Sequence, residues 1–285
     1  MQVFQILSRT PTRELLELAA FAESLGFAGI GLSDHLVRPR EIASRYPYAA
    51  DGRMEAGTAT PYPDCWVTIG ALAQVTTRVR FLTSVYVLPL RDPFSVAKAV
   101  STAAVLANER VVLGVGVGWM AEEFALTGQR FAARGRRTDE MLEVMGKLFT
   151  GEMVEHHGEF YDFAKLQMQP VPTRRPPVWV GGESAPALRR AARCDGWLGI
   201  HYGFEEALDR LAVLRKIRRE VGRENADFDI ALALRDLPDR DVRLRLEEAG
   251  MTILLHPAPW SADPTGISLA ERRSALERAA ERLRF

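Results

Sequence analysis

Cysteine is almost absent from this chain. Its 285 residues hold two, Cys65 and Cys194, far apart and outside any C-x-x-C spacing. That excludes a disulfide scaffold and a cysteine-based zinc site, and fits free thiols in a reducing compartment. Lysine is scarce as well, with four lysines against 33 arginines, a bias that reports a GC-rich bacterial genome more than a function. An excess of charge is missing too: Lys+Arg and Asp+Glu both number 37, so the formal net charge is zero. Bulk charge therefore gives no hold on nucleic acid or an anionic membrane. The opening MQVFQILSRT has no basic segment followed by an apolar one, and no later run approaches the roughly 20 residues of a membrane span. The expectation is a cytoplasmic protein acting on a small molecule.

Several catalytic signatures are also lacking. No G-x-S-x-G or S-x-x-K supports a serine nucleophile, and there is no H-E-x-x-H or early H-x-H to hold a metal. His35, His201 and His256 converging on an ion, as in barrel hydrolases, is the residual metal reading; the expectation is no metal. The glycines of "LGVGVGW" (113–119) do not follow G-x-G-x-x-G and open no helix directly, so the dinucleotide fingerprint fails.

What is present is an ordinary globular composition, 47% hydrophobic and 26% charged, arranged as short apolar runs alternating with amphipathic helices. Strands are expected at residues 3–7, 28–32, 80–87, 111–117, 178–180, 197–200, 229–234 and 252–255, most of them dense in Val, Ile and Leu as strands covered on both faces should be. Thr10-Pro11 and Asp92-Pro93 read as N-cap plus N1 proline. Further helices are expected from about 136 to 148, 185 to 193, 204 to 221, 239 to 249 and 269 to 283. Eight strands alternating with helices in one domain over 1–285 is the count of an α/β (β/α)8 TIM barrel; a doubly wound open sheet is the alternative. Long segments follow the second strand (37–63) and the fourth (119–134). An insertion at 151–177, with a hairpin at "HHGEFYDF", precedes the fifth.

In a barrel, the residues just past the strands ring one pocket. Here they are Ser8, Asp34-His35, Ser84, Gly118-Trp119, Gly182-Glu183-Ser184, His201-Tyr202, Arg235 and His256. Gly114, Gly116 and Gly118 fall at period two and so share one face, which suits either a flat ligand or tight packing. "GGESAPALRRAAR" (181–193) is either an anion site at a helix start or an ordinary cap at Ser184. His35 is either a satisfied core histidine or a general acid/base oriented by Asp34.

Taken in order, "SDHL" (33–36), "YPYAADGR" (46–53), "TSVYVLPLRDPFSVAKA" (83–99), "RVVLGVGVGWMAEEF" (110–124), "RGRRTDEML" (134–142), "PPVWVGGES" (176–184) and "CDGWL" (194–198) make the chain resemble the luciferase-like flavin-barrel superfamily. It is most similar to the branch of coenzyme F420 (deazaflavin)-dependent oxidoreductases. The resemblance covers nearly the whole chain. It implies a flat cofactor across the C-terminal mouth of the barrel, F420 with FMN as the alternative, and a non-prolyl cis peptide at Ser84-Val85 whose bulge backs the ring. It further implies that Gly116, Val117, Gly118 and Trp119 line the ring and ribityl chain, and that Gly181, Gly182, Glu183 and Ser184 take the phosphate. His35 matches a histidine that sugar-phosphate dehydrogenases of the family place beside the reactive carbon. Those enzymes carry a glutamate directly after the glycines, where this chain has Trp119; Glu122 and Glu123 come three and four residues later. That departure argues against glucose 6-phosphate as substrate.

The expected activity is hydride transfer between the deazaflavin and a small organic substrate, with catalytic His35 and Asp34. Tyr46, Tyr48, Tyr62 and His201 are the expected substrate-binding residues, on or beside a covering loop. An FMN-dependent monooxygenase is the alternative, and a non-catalytic flavin-type binding barrel the second. Homodimers are common in this superfamily.

Overall fold

A computed structural model describes every residue except 50, 55, 56, 58, 261–265, 284 and 285. Four of these fall in the loop expected to cover the substrate, so that part of the expectation lies outside the described residues. Eight parallel strands close into a barrel. They are β1 (Gln2–Ile6), β2 (Gly29–Leu32), β3 (Arg80–Thr83), β5 (Val111–Gly116), β8 (Val178–Gly181), β9 (Gly196–Tyr202), β10 (Asp229–Leu234) and β11 (Ile253–His256). They lie in the order β3-β2-β1-β11-β10-β9-β8-β5, and β3 pairs back onto β5 through Phe81↔Val111 and Leu82↔Val112. The fold is the expected TIM barrel, and the open sheet is excluded by that closure.

The outer ring is built from α1 (Leu15–Ser24), α2 (Cys65–Leu72), α3 (Pro93–Leu106), α4 (Ala121–Leu126), α5 (Arg134–Leu148), α6 (Ala185–Arg193), α7 (Phe204–Glu220), α8 (Arg240–Glu248) and α9 (Leu269–Leu283). No helix among the described residues is long and apolar enough to cross a membrane. Alternation along each strand divides the core in two. Phe4, Leu82, Val112, Trp179, Leu198 and Leu255 fill the barrel, while Ile30, Phe81, Val111, Trp197 and their kind meet the helices. Within the barrel cluster Ile6, Val85 and Ala233 are only partly buried; Ile6 and Ala233 lie toward the C-terminal ends of β1 and β10 and Val85 just past that of β3, so together they floor the mouth.

The strand expected over 80–87 is interrupted. The Ser84–Val85 peptide is cis, and a two-residue β4 (Tyr86–Val87) resumes pairing with β5 at Tyr86↔Val115 and Val87↔Gly116. The offset to β5 drops from 30 to 29 between Leu82↔Val112 and Tyr86↔Val115, which is one extra residue, a bulge. Its consequence is directional: alternation would turn Tyr86 inward, but the bulge sends Tyr86 to the helix layer and Val85 into the barrel.

Other boundaries also moved. Asp92 caps α3 as expected, accepting Ser95 N–H at 2.8 Å. Thr10 does not cap the first helix: its hydroxyl accepts the Trp260 indole N–H at 3.0 Å, and a 3-10 turn (Thr12–Glu14) precedes α1. Helices α2 and α4 were not anticipated. The insertion does form an antiparallel hairpin, β6 (Val154–His157) with β7 (Asp162–Leu166). It docks on α5, where the Glu140 carboxylate accepts Phe160 and Tyr161 N–H at 2.7–2.9 Å.

Candidate active site

The two long segments after β2 and β5 lie on the C-terminal face of the barrel, and their side chains meet there. β2, GIGL, is buried throughout and runs one residue past its neighbour β1, whose last residue Ile6 pairs with Gly31, so Ser33, Asp34 and His35 emerge at the rim. The two titratable residues go separate ways. Asp34 turns back into the protein, where its carboxylate makes a two-pronged ion pair with Arg91 at 2.6 and 2.8 Å and accepts Val87 N–H at 2.9 Å. The guanidinium in turn lies 4.2 Å over the Tyr86 ring. Asp34 therefore ties the end of β2 to the segment after the bulge. The orienting role expected of it falls elsewhere.

The group on His35 is Glu123, in the first turn of α4. Its Oε2 lies 2.9 Å from His35 Nδ1, while Oε1 accepts the N–H groups of Leu36 at 2.8 Å and Val37 at 3.3 Å. Both side chains are withdrawn from solvent, at 9% exposure for His35 and 2% for Glu123. Beside it, Glu122 Oε1 accepts Ala43 N–H at 2.7 Å and Ser44 N–H at 3.0 Å, and Ser44 Oγ accepts Ala121 N–H at 2.9 Å. Two adjacent glutamates thus fasten the start of the loop after β2 onto α4. Neither partnership was visible from spacing; the available signal was a pair of acidic residues in the first turn of a helix just past a strand end.

An unbroken series of aromatic rings crosses the rim. Tyr62 meets His35 edge-on at 4.9 Å, His35 meets Trp119 at 6.1 Å, Trp119 meets Tyr46 at 5.1 Å, Tyr46 meets Tyr48 at 5.5 Å, and Tyr48 meets His201 at 6.5 Å. The structure thus brings together five residues named from sequence, His35, Tyr46, Tyr48, Tyr62 and His201, with Trp119 at the centre. Burial pushes the Tyr48 phenol up to about 12, assisted by Glu183 and Tyr46, and burial raises Tyr46 against the opposing charge of Arg9. Both stay protonated at neutral pH and present hydroxyl donors.

Below this layer, the glycines make room for one side chain. A Cβ on Gly116 would stand 2.5 Å from Val85 Cγ2, and one on Gly181 would stand 2.8 Å from Val85 Cγ1. Val85 is wedged between β5 and β8 because both strands are bare at that level. Packing therefore explains the Gly114 and Gly116 pattern directly; a Cβ on Gly114 would meet the Thr83 carbonyl oxygen at 1.9 Å. Gly118 has φ +80 and its carbonyl accepts Arg134 Nε–H at 3.1 Å. Ser84 and Val117 sit half-buried beside this wedge. At the β8 end, Gly182 takes φ +115, its carbonyl accepts the Trp197 indole N–H at 2.9 Å, and Ser184 caps α6 by accepting Ala187 N–H at 3.3 Å. Burial and the Glu183 carboxylate together raise the Tyr202 phenol, which places the Glu183 charge on the Tyr202 and Tyr48 side of this turn.

His256 does not join the rim. It packs outward against Gln5, with Nδ1 2.9 Å from Oε1, and burial with the nearby Arg282 charge pushes it down to about 4. Among the described residues no three His, Cys, Asp or Glu side chains gather as a metal-ligating group.

This geometry can be set beside known proteins. An uncharacterized protein of Mycobacterium tuberculosis is 40% identical over 270 residues, covering 93% of each chain. An F420-dependent glucose-6-phosphate dehydrogenase of Amycolatopsis mediterranei is 29% identical over 279 residues, covering 95% of this chain and 77% of that one. A monooxygenase from Streptomyces bottropensis has the same fold, with a TM-score of 0.76 at 18% identity over 99% of this chain and 98% of that one. The sequence pattern of the luciferase-like monooxygenases matches residues 3–284, so the chain belongs to that family.

Proposed function

We propose that the chain is a coenzyme F420-dependent oxidoreductase that moves a hydride between the deazaflavin and a small organic substrate at the C-terminal mouth of the barrel. The observation that carries this reading is the seat itself: Val85 stands between two bare glycines on a partly exposed apolar floor, and a line of aromatic rings that includes His35 and His201 borders it. A flat ring with one apolar face suits such a floor. The residues present fit the rest of the cofactor too, because Ser84 and Val85 back the ring while Gly116, Val117, Gly118 and Trp119 border it. Gly181, Gly182, Glu183 and Ser184 would hold the anionic tail at the start of α6, where backbone N–H groups face outward. The similarity at 29% identity to an F420-dependent dehydrogenase favours the deazaflavin over FMN.

When bound, the deazaflavin supplies two-electron hydride chemistry, and the side chains do not need to. The chain's own residues shape the reaction. Tyr46, Tyr48 and Tyr62 cover the mouth and exclude water, His201 closes the far end of the same row, and His35 manages a proton at Nε2. Asp34 contributes by fixing the backbone around the seat rather than by touching substrate.

Fluorescence titration of the purified protein with F420 and with FMN tests the reading. Saturable F420 binding is expected, followed by a change in deazaflavin absorbance with some member of an alcohol, aldehyde and ketone panel. Tight FMN binding with none to F420 would overturn it in favour of a flavin monooxygenase, and F420 binding without turnover across the panel would favour a binding barrel.

A further inference from the structure

The first turn of α4 holds more than a cap needs. Glu123 is almost fully buried, and both of its oxygens are occupied by N–H groups: Oε1 by Leu36 and Val37, Oε2 by His35 Nδ1. A carboxylate in that position can only accept, so the proton between the two side chains sits on Nδ1. In the neutral ring the lone pair then lies on Nε2. Nε2 has no partner among the described residues, and the ring stands edge-on between Tyr62 and Trp119, in the mouth.

We propose that Glu123 is the positioning residue of this site: by holding Nδ1–H it fixes the tautomer of His35, so that Nε2 meets the substrate as a proton acceptor rather than as a donor. The same carboxylate anchors the two peptide N–H groups that follow His35, so ring and backbone are set by one group. When Nε2 takes a proton, both ring nitrogens become donors and the charge forms against the Glu123 carboxylate, which supports it. Running backwards, that imidazolium returns the proton from Nε2. The residue that stands directly after the strand glycines, Trp119, then need not supply an acid or base; it packs the ring on one side while Glu123 reaches it on another. This inference rests on the reading of the mouth as the active site, but its test needs no cofactor.

Long-range 1H–15N spectra of histidine-labelled protein distinguish the two neutral tautomers, and the His35 signals are assigned by their loss in His35→Asn. The Nδ1–H form is expected in the neutral ring. In Glu123→Gln the amide keeps an oxygen for Leu36 N–H and turns its NH2 toward Nδ1. His35 should shift to the Nε2–H form, because the amide offers Nδ1 a donor where the carboxylate offered an acceptor. Turnover in the F420-loaded enzyme should fall on the order of 100-fold, as for loss of a general base, with F420 affinity little changed. An Nε2–H tautomer in the wild-type protein overturns the proposal by itself, even if Glu123→Gln does not fold. So does a Glu123→Gln protein whose His35 keeps its tautomer. The expected tautomer combined with no F420 turnover would leave this inference standing and remove the functional reading instead.

Discussion

His35 and His256 are both imidazoles at the C-terminal ends of parallel strands, and their surroundings drive them apart. His35 gains a buried carboxylate, whereas His256 gains a neutral amide from Gln5 and the repulsion of Arg282. Burial and that repulsion hold His256 down at about 4, so the fold favours its neutral form. The sign follows from linkage: the unfolded chain takes up this proton near pH 6.5 and the native chain does not until about 4. The stability it contributes is full above 6.5 and is lost as pH falls toward 4. In urea unfolding series, the wild-type protein should lose on the order of 1–2 kcal/mol more than His256→Gln between pH 7 and 4.5, after allowing for the partial exposure of the ring. Parallel stability curves for the two proteins would show that His256 titrates normally.

At the scale of elements, the decisive joint is the one between β2, the bulge and α3. Asp34 and Arg91 are 3% and 16% exposed, and the same carboxylate also takes the Val87 N–H. Asp34→Asn leaves a buried guanidinium with an incomplete partner, which typically costs about 3–5 kcal/mol. The expected outcome is a lowered urea midpoint with an unchanged m-value, and no change in the His35 tautomer. A changed His35 tautomer with intact stability would return Asp34 to the chemistry. The sequence showed the eight strands because buried parallel strands are written as Val, Ile and Leu runs. It hid α2, since CWVTIGAL is apolar on nearly every face and its helix signal reduces to the Asp64 cap, which accepts Trp66 and Val67 N–H at 2.9 Å. The site divided in the same way. Strand ends and the aromatic loop marked His35, Trp119 and the tyrosines as residues that would meet. The partner of His35 was hidden because Glu123 lies 88 positions away, and only the closed barrel brings those two rims together. The glycine pattern left a flat ligand and tight packing open, and what approaches Gly116 within the fold is the Val85 side chain.

Across the whole molecule, the two ends of the barrel divide the work. The C-terminal face carries the histidine, the aromatic row and the helix start at Ser184, held by groups that leave polar atoms turned to the mouth. The N-terminal face is closed by packing and by side chains spent on backbone carbonyls. Arg110 shows this best: it enters just before β5, and its guanidinium donates to the carbonyls of Ala107, Thr76 and Val79 at 2.8–3.1 Å and to Thr76 Oγ1 at 3.1 Å. It also lies 4.9 Å over the Phe81 ring. One side chain thus closes the C-terminal ends of α2 and α3 and the entrances of β3 and β5, where the barrel sheet itself closes. Arg110→Ala strands several carbonyls and empties the space over Phe81, and we expect a loss of roughly 2–4 kcal/mol in urea unfolding. Because nothing at that end reaches the seat at Val85, the folded fraction of the variant should bind F420 with unchanged affinity and keep the wild-type His35 tautomer. The reverse holds for Trp119→Ala, which removes the centre of the aromatic row and should weaken F420 binding with little loss of stability, since Trp119 is half-exposed at the rim. If Arg110→Ala weakened F420 binding in proportion to its loss of stability, the two ends would be coupled through the barrel, and the division of labour argued here would be wrong.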